Sequence, residues 1–485
     1  MGRSKREILS SIEELVREYY SQVHGDGLGG TGEIRGGGKD AEIPYAGRVF
    51  GHEELNAAVR SSLDFWLTLG EQGEGFEREI ASYLGVRFSR LVNSGSSANF
   101  LAVGALTSSS LPEGLRLVGG GEIITCAAGF PTTAAPILQH GGTVVFVDVD
   151  PVTCNVRLES LQEAYREGKT RGVILAHGMG NPFDIGGVLD FCRERGLVLI
   201  EDNCDALGSR YCLGGGGEGD GEMRLTGSWG DLSTQSFYPA HHITMGEGGL
   251  VSVRQDVRLM RIVESLRDWG RDCWCATGVS GTCGKRFGWS FDGLPDGYDH
   301  KYVYSHLGYN MKPTDWQAAI GRVQLSRLPE FIQARRSNWE YLRSGLDELQ
   351  EVFEFGLPTH AVERIGDGEY RWDSSGSRSE PSWFGFMLLV RPNSGLDRVE
   401  LARYLTERGI GNRMFFGGNL MRQPAFSDFA KEHPDRVRVV GDLQGADRLM
   451  RDGIFIGVYP GLRRSDLDLM IDTITRYVRG IGGRK

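Results

Sequence analysis

Apolar residues Ile8, Ile12, Leu15, Val16 and Tyr19 recur three and four positions apart, which predicts a short helix over residues 5–23. The glycine-rich stretch 25–38 reads as a linker. Two further helical windows, 55–67 and 76–84, precede the segment Ser94-Gly95-Ser96-Ser97-Ala98-Asn99. Beyond it the period changes. β-Branched runs at 122–125, 143–148, 172–176 and 197–200 alternate with helical windows at 132–139, 158–167 and 186–195. That order predicts an α/β fold, a mostly parallel sheet covered by helices. A long helix over 313–349 leads into strands at 382–390 and 453–458 and helices at 397–408 and 464–477, expected as a smaller C-terminal α+β domain. Residues 366–380 read as a loop, and no internal repeat is visible. The expected division is 1–50 (helix and linker), 51–330 (large domain) and 331–485 (small domain).

Composition narrows the function classes. The 485 residues are 40% hydrophobic and 24% charged, a globular balance. No apolar run approaches the roughly 18–20 residues needed to span a bilayer. The N-terminus lacks the apolar core of a signal peptide, so a cytoplasmic location is expected. A net charge of −10 argues against nucleic acid or an anionic membrane as the main partner. Glycine, 71 of 485, is about twice its usual share of roughly 7%, and residues 213–222 read as a flexible surface insertion. Lysine is scarce: the eight stand at 5, 39, 169, 285, 301, 312, 431 and 485, so residues 170–284 contain none. Eight cysteines are too few for a disulfide scaffold in so long a chain. Cys273, Cys275 and Cys283 lie within eleven residues and read as metal ligands.

Three segments carry candidate chemistry. Ser94–Asn99 opens a helix with small and hydroxyl residues, the composition that lets backbone amides approach an anion. Asp202 ends an apolar run, and a carboxylate at the carboxyl end of a parallel strand sits where open α/β sheets bind ligands. Buried there it needs a cation, which a protonated pyridine nitrogen would supply. The third is Ser236-Phe-Tyr-Pro-Ala-His241-His242-Ile-Thr-Met-Gly-Glu247-Gly-Gly249. Taken singly, each segment also has a bland reading: a helix cap, a capping Asp, a loop with two histidines.

Together they resemble the pyridoxal-phosphate enzymes of fold type I, the aspartate aminotransferase-like fold, that modify nucleotide sugars: the DegT/DnrJ-type sugar aminotransferases and dehydratases. There the pattern is Ser-Phe-x-x-x-Lys-x-x-x-x-x-Glu-Gly-Gly, and the lysine holds the coenzyme covalently. Here that slot is His241, with no lysine nearby to replace it. The resemblance then implies pyridoxamine phosphate held noncovalently, with His241 as acid–base catalyst. A closer resemblance is to the iron–sulfur branch, the CDP-6-deoxy-L-threo-D-glycero-4-hexulose 3-dehydrases and their TDP-sugar relatives. It rests on Ala127–Thr133, Ser236–Gly249, residues 267–275, residues 297–310 and residues 418–424.

This resemblance implies deoxygenation at C3 of an NDP-4-keto-6-deoxyhexose, with a 2Fe–2S cluster on Cys204, Cys273, Cys275 and Cys283. Spacing alone leaves a zinc site open, and Cys212 competes with Cys204. By position it places Gly95, Ser96 and Ser236 at the coenzyme phosphate, Phe130 on the ring and Asp202 at the ring nitrogen. Asp205 and Tyr238 would face the coenzyme, and Arg413 and Arg422 the nucleotide diphosphate. Asn310 would reach the partner subunit's phosphate, which implies a homodimer. The implied electron donor is an iron–sulfur flavin reductase or a ferredoxin system. Competing expectations are a cluster-independent dehydratase or aminotransferase, and a noncatalytic family member.

Overall fold

Uninterrupted apolar runs are what strands need when helices cover both faces of their sheet. In the computed structural model, which describes residues 3–25, 43–214, 221–276 and 278–482, the four runs are strands. Strands β1 (Phe88–Val92), β2 (Glu122–Cys126), β3 (Thr143–Val147), β4 (Thr170–Ala176), β5 (Val198–Asp202), β6 (Leu232–Ser236) and β7 (Gly249–Val253) share one sheet in the order β1-β7-β6-β5-β4-β2-β3. Strands β2 to β6 run parallel, and β7 is antiparallel to its neighbours β6 and β1.

The C-terminal part contributes β8 (Phe353–Phe355), β9 (Gly385–Val390), β10 (Asn412–Met414), β11 (Val437–Val439) and β12 (Gly453–Gly457). Four of these form an antiparallel sheet in the order β8-β9-β12-β10. The short β11 instead pairs in parallel with β3 of the large sheet, so residues far along the chain close its outer edge. The helix Asp315–Gly345, started by a reciprocal Thr314–Gln317 cap, joins the two parts. It packs Trp339 face to face on Trp383, ring centroids 4.4 Å apart.

Residues 366–380 are not the loop that the pattern predicts. Glu369–Trp372 pairs with Ala361–Gly366 as a hairpin, and Arg378–Glu380 pairs with Arg210–Cys212. The hairpin faces solvent with charged side chains such as the Arg371–Glu363 pair, so it lacks the apolar alternation that announces a half-buried strand. The glycine-rich 25–38 stretch falls almost wholly, and the 213–222 insertion largely, outside the described residues.

Alternation along β5 puts Glu201 and Asp202 on opposite faces. Glu201 is fully buried and accepts hydrogen bonds from the backbone amides of Gly227 (2.8 Å), Trp229 (2.7 Å) and Gly230 (2.6 Å). It also lies 3.1 Å from His177 Nε2. Burial pushes its pKa up, but His177 and the amides outweigh burial and hold it below the usual carboxylate range. The stability this group contributes is therefore complete above the unfolded-state pKa and is lost as pH falls through the lower folded-state value. E201Q is expected to flatten the acid limb of a denaturation-midpoint-versus-pH curve; an unchanged acid limb would show that Glu201 carries none of it.

Candidate active site

The carboxyl ends of β2, β5 and β6 open into a cavity of about 590 Å³, a volume suited to a small-molecule ligand. Asp202 lies at its floor, 5% exposed. Its Oδ2 accepts hydrogen bonds from Asn99 Nδ2 (2.8 Å) and Thr133 Oγ1 (2.7 Å), and its Oδ1 accepts one from the Cys204 amide (3.3 Å). Thr234 Oγ1 in turn donates to Asn99 Oδ1 at 2.6 Å, which fixes the amide's orientation. All these donors are neutral. Among the described residues no cation pairs with Asp202, so a charge has been buried with only hydrogen bonds to offset its lost hydration.

Above Asp202 the loop after β6 presents His241. Its Nδ1 is buried 3.4 Å from Asp205 Oδ1 without closing a hydrogen bond within the protein. Its backbone carbonyl accepts a hydrogen bond at 3.1 Å from Arg335, a guanidinium 1% exposed that also donates to the carbonyls of Trp383 and Phe384. Burial pushes the Asp205 carboxyl pKa up, and nearby Asp202 adds to the shift, while His241 and Arg335 oppose it. Burial and the negative Asp202 likewise raise the Cys204 thiol well above its usual value. An imidazole against a carboxylate of elevated pKa is a pair able to hold and pass a proton.

The rim is built from small residues. Ser94 caps the helix Gly95–Ala105 by accepting from the Ser97 amide at 3.0 Å. Gly95 abuts Ser236, where a Cβ would come within 2.5 Å of the serine Cβ, and Gly249 touches the Ser94 carbonyl carbon in the same way at 2.3 Å. Larger residues would push the helix N-terminus away from the cavity. Ser96, Phe130, Ser236, Tyr238 and Arg413, all singled out in the sequence, line it with Asp202, Asp205 and His241. Phe130 is half exposed and offers an open ring face. Sequence reading missed Asn99, Thr133 and Thr234 as supports of Asp202, and the aromatic wall of Tyr45, Phe384, Phe416 and Phe455.

Two expected residues do not line the cavity. Arg422 is exposed and makes a forked pair with Asp447 (Nε 3.0 Å and Nη2 2.8 Å), so it is not among the lining residues. Asn310 is exposed, accepts from Lys312 Nζ at 2.7 Å and is not among the lining residues. The four cysteines are divided. Cys273, Cys275 and Cys283 flank one small pocket, whereas Cys204 lines the main cavity beside Asp202 and Asp205. The sequence places Cys204 next to both aspartates, so the strand end that positions Asp202 carries the thiol with it. Among the described residues no group of three or more His, Cys, Asp or Glu side chains is gathered to hold a single metal ion.

Comparison with known proteins agrees with this geometry. Residues 50–475 match the DegT/DnrJ/EryC1/StrS aminotransferase family. The chain belongs to it. A lipopolysaccharide biosynthesis protein, RfbH of Salmonella typhimurium, is 42% identical over 96% of this chain and 98% of its own length. The dTDP-4-dehydro-2,6-dideoxy-D-glucose 3-dehydratase of Saccharopolyspora spinosa is 42% identical over 98% of this chain and 92% of its own length. Among solved structures, a mutant of GDP-4-keto-6-deoxymannose-3-dehydratase (ColD) with bound GDP-perosamine is 27% identical. It superposes with a TM-score of 0.74 over 89% of this chain and 99% of that one. The fold of this DegT/DnrJ/EryC1/StrS member is thus the fold type I of pyridoxal-phosphate-dependent aminotransferases. No helix of the described residues is long and apolar enough to cross a membrane.

The thiols of this family member differ in reactivity. His300 beside Cys283, with a backbone amide and Trp289, lowers its pKa to about 7, while burial pushes Cys126 up to about 12. Thiolate is the alkylated form. Iodoacetamide labelling of the metal-free native protein, followed by mass spectrometry, is expected to modify Cys283 first with half-maximal rate near pH 7, and Cys126 and Cys204 only after unfolding. Equal labelling of all three at neutral pH would contradict the assignment.

Proposed function

We propose that this chain is a pyridoxamine-phosphate-dependent 3-dehydratase that removes the C3 hydroxyl of an NDP-4-keto-6-deoxyhexose in deoxysugar biosynthesis. The observation that carries the reading is His241, an imidazole where the resembling enzymes carry the lysine that tethers the coenzyme. No lysine lines the cavity among the described residues, so no amine is at hand to hold an aldehyde. The relatives named as dTDP- and GDP-sugar 3-dehydratases support the same class.

The residues fit the coenzyme. Asp202 has neutral donors and lacks a cation, which suits a protonated pyridine nitrogen. The Ser94–Ser97 turn at a helix N-terminus, with Ser236 and the close approach at Gly95, suits a phosphate. Phe130 offers a face for the ring. Pyridoxamine phosphate supplies, when bound, an amine that condenses with a sugar ketone and a ring that accepts electron density. His241 then moves the proton at the coenzyme's methylene carbon; Asp205, facing Nδ1, leaves Nε2 for that transfer and orients the ring. Arg335 holds the His241 backbone, and Arg413, which lines the cavity, suits the nucleotide diphosphate. Asn310, exposed and not among the residues lining its own cavity, suits a role in a partner's site within a homodimer.

The balanced conversion is 4-keto-6-deoxyhexose plus two electrons and two protons to the 3-deoxy sugar plus water. Cys204, Cys273, Cys275 and Cys283 would hold a 2Fe–2S cluster, which would supply single-electron transfer when bound, with an iron–sulfur flavin reductase or a ferredoxin system as donor. One observation favours a second reading. Because Cys204 stands apart from the other three thiols, a cluster-independent dehydratase that recycles its amine through glutamate also suits the cavity.

Anaerobic incubation with an NDP-4-keto-6-deoxyhexose, pyridoxamine phosphate and either a reduced ferredoxin system or glutamate decides between them. A product lighter by one oxygen only with the reductant supports the primary reading; the same product with glutamate alone supports the second, and a 4-amino sugar overturns both. H241N is expected to lose about 10²–10⁴-fold in turnover, the usual range for removing an acid–base group. Borohydride should trap pyridoxal phosphate on H241K but not on the wild type; a trapped wild-type adduct would refute noncovalent binding.

A further inference from the structure

Among the described residues, Arg413 on β10 is the only arginine or lysine that lines the main cavity. It is exposed, and no carboxylate pairs with it there. Its Nη1 donates to the carbonyl of the preceding Asn412 at 2.8 Å, and its guanidinium carbon lies 4.1 Å from the centre of the Tyr45 ring. A guanidinium laid on an aromatic face keeps its charge and its forked N–H edge available to a phosphate. Arg422 shows the contrast, since Asp447 already occupies its fork.

Tyr45 reaches this place from the opposite end of the chain. Residues 43–49 run past the edge of the C-terminal sheet, where the Ile43 amide donates to the Gly409 carbonyl at 2.6 Å and the Gly411 amide to the Ile43 carbonyl at 2.8 Å. A Cβ at Gly411 would come within 2.8 Å of the Tyr45 nitrogen, and one at Gly457, which ends β12, within 2.5 Å of the Tyr45 carbonyl oxygen. Larger residues at these two positions would lift the segment off the sheet. The Tyr45 ring meets Phe455 of β12 edge to face, centroids 6.0 Å apart. Arg413 stands two residues beyond Gly411, so ring and guanidinium are carried by segments that are hydrogen-bonded to each other.

We propose that Tyr45 is a positioning residue for substrate recognition, whose ring holds the Arg413 guanidinium ready for the diphosphate of a nucleotide sugar. This deepens the proposed function and rests on its assignment of Arg413 to that diphosphate. A free arginine side chain gives up rotamer freedom when it closes on a phosphate, and one already stacked has less to give up. The role needs the aromatic face of Tyr45 and not its hydroxyl.

The test is ligand-observed NMR titration of the full chain, loaded with pyridoxamine phosphate, with CDP, dTDP and GDP in turn. The proteins are wild type, Y45F, Y45L, R413A and the double variant Y45L/R413A, and the affinity of each for pyridoxamine phosphate is measured separately. With the nucleotide that wild type binds best, Y45L is expected to lose about 2- to 30-fold in affinity, and Y45F to regain it by keeping the ring. Y45L should cost nothing further once Arg413 is gone, and pyridoxamine phosphate should bind all five proteins alike, which also reports that they are folded. Wild-type nucleotide affinity in Y45L, an equal loss in Y45F, losses that multiply in the double variant, or a loss of pyridoxamine phosphate in place of nucleotide each overturns the assignment. A wild type that binds none of the three nucleotides brings down the nucleotide-sugar reading itself, and so is distinct from failure of the Tyr45 assignment alone.

Discussion

Asp202 stands buried at the end of β5 with its oxygens held by Asn99, Thr133 and the Cys204 amide. Each donor comes from a different element: the helix Gly95–Ala105, the helix Pro131–Gln139 and the turn after the strand itself. Thr234 on neighbouring β6 locks the first of them. A carboxylate so placed has lost most of its hydration, and neutral hydrogen bonds return only part of that cost. In the proposed function the remainder is met by the protonated ring of the coenzyme. The elements are thus arranged around a buried carboxyl group without a cationic partner among the described residues, and the same arrangement brings the helix N-terminus, the serines and Phe130 to the cavity rim.

Replacing a tethering amine by an imidazole changes what the loop after β6 must do. A lysine adjusts its own position along a flexible stem, whereas a short imidazole needs its backbone placed for it. Arg335 meets that need from the interior by binding the His241 carbonyl and two carbonyls of the segment entering β9, so the loop and the C-terminal sheet share one anchor. Asp205 faces the ring from the strand end that also carries Asp202. His241 and Asp202, the acid–base group and the ligand-holding charge of the proposed function, are therefore fixed by a common set of main-chain positions.

Much of this was legible in the sequence, for a physical reason. Fully buried parallel strands and the helices between them have strong apolar patterns, so β2 to β5 and their helices fall close to the windows that periodicity marks. Segments whose function depends on local sequence, such as Ser94–Asn99 and the loop at His241, were readable as motifs. The supports of Asp202 were not. Asn99, Thr133 and Thr234 lie up to 135 positions apart and meet only through the sheet order. The hairpin at 361–372 was hidden by its solvent-facing charges, and Arg422 carried an anion-binding residue type but is taken by Asp447. The packing of His300 against Asp272 left no trace in spacing at all.

In the proposed function Asp202 pairs with the positive ring of a reversibly bound pyridoxamine phosphate. Titration calorimetry of wild type and D202N with pyridoxamine phosphate tests it directly. Wild type is expected to bind reversibly and D202N to lose about 150- to 4,000-fold in affinity, corresponding to the roughly 3–5 kcal/mol that breaking a buried charge pair costs. Equal affinity in the two proteins would contradict it.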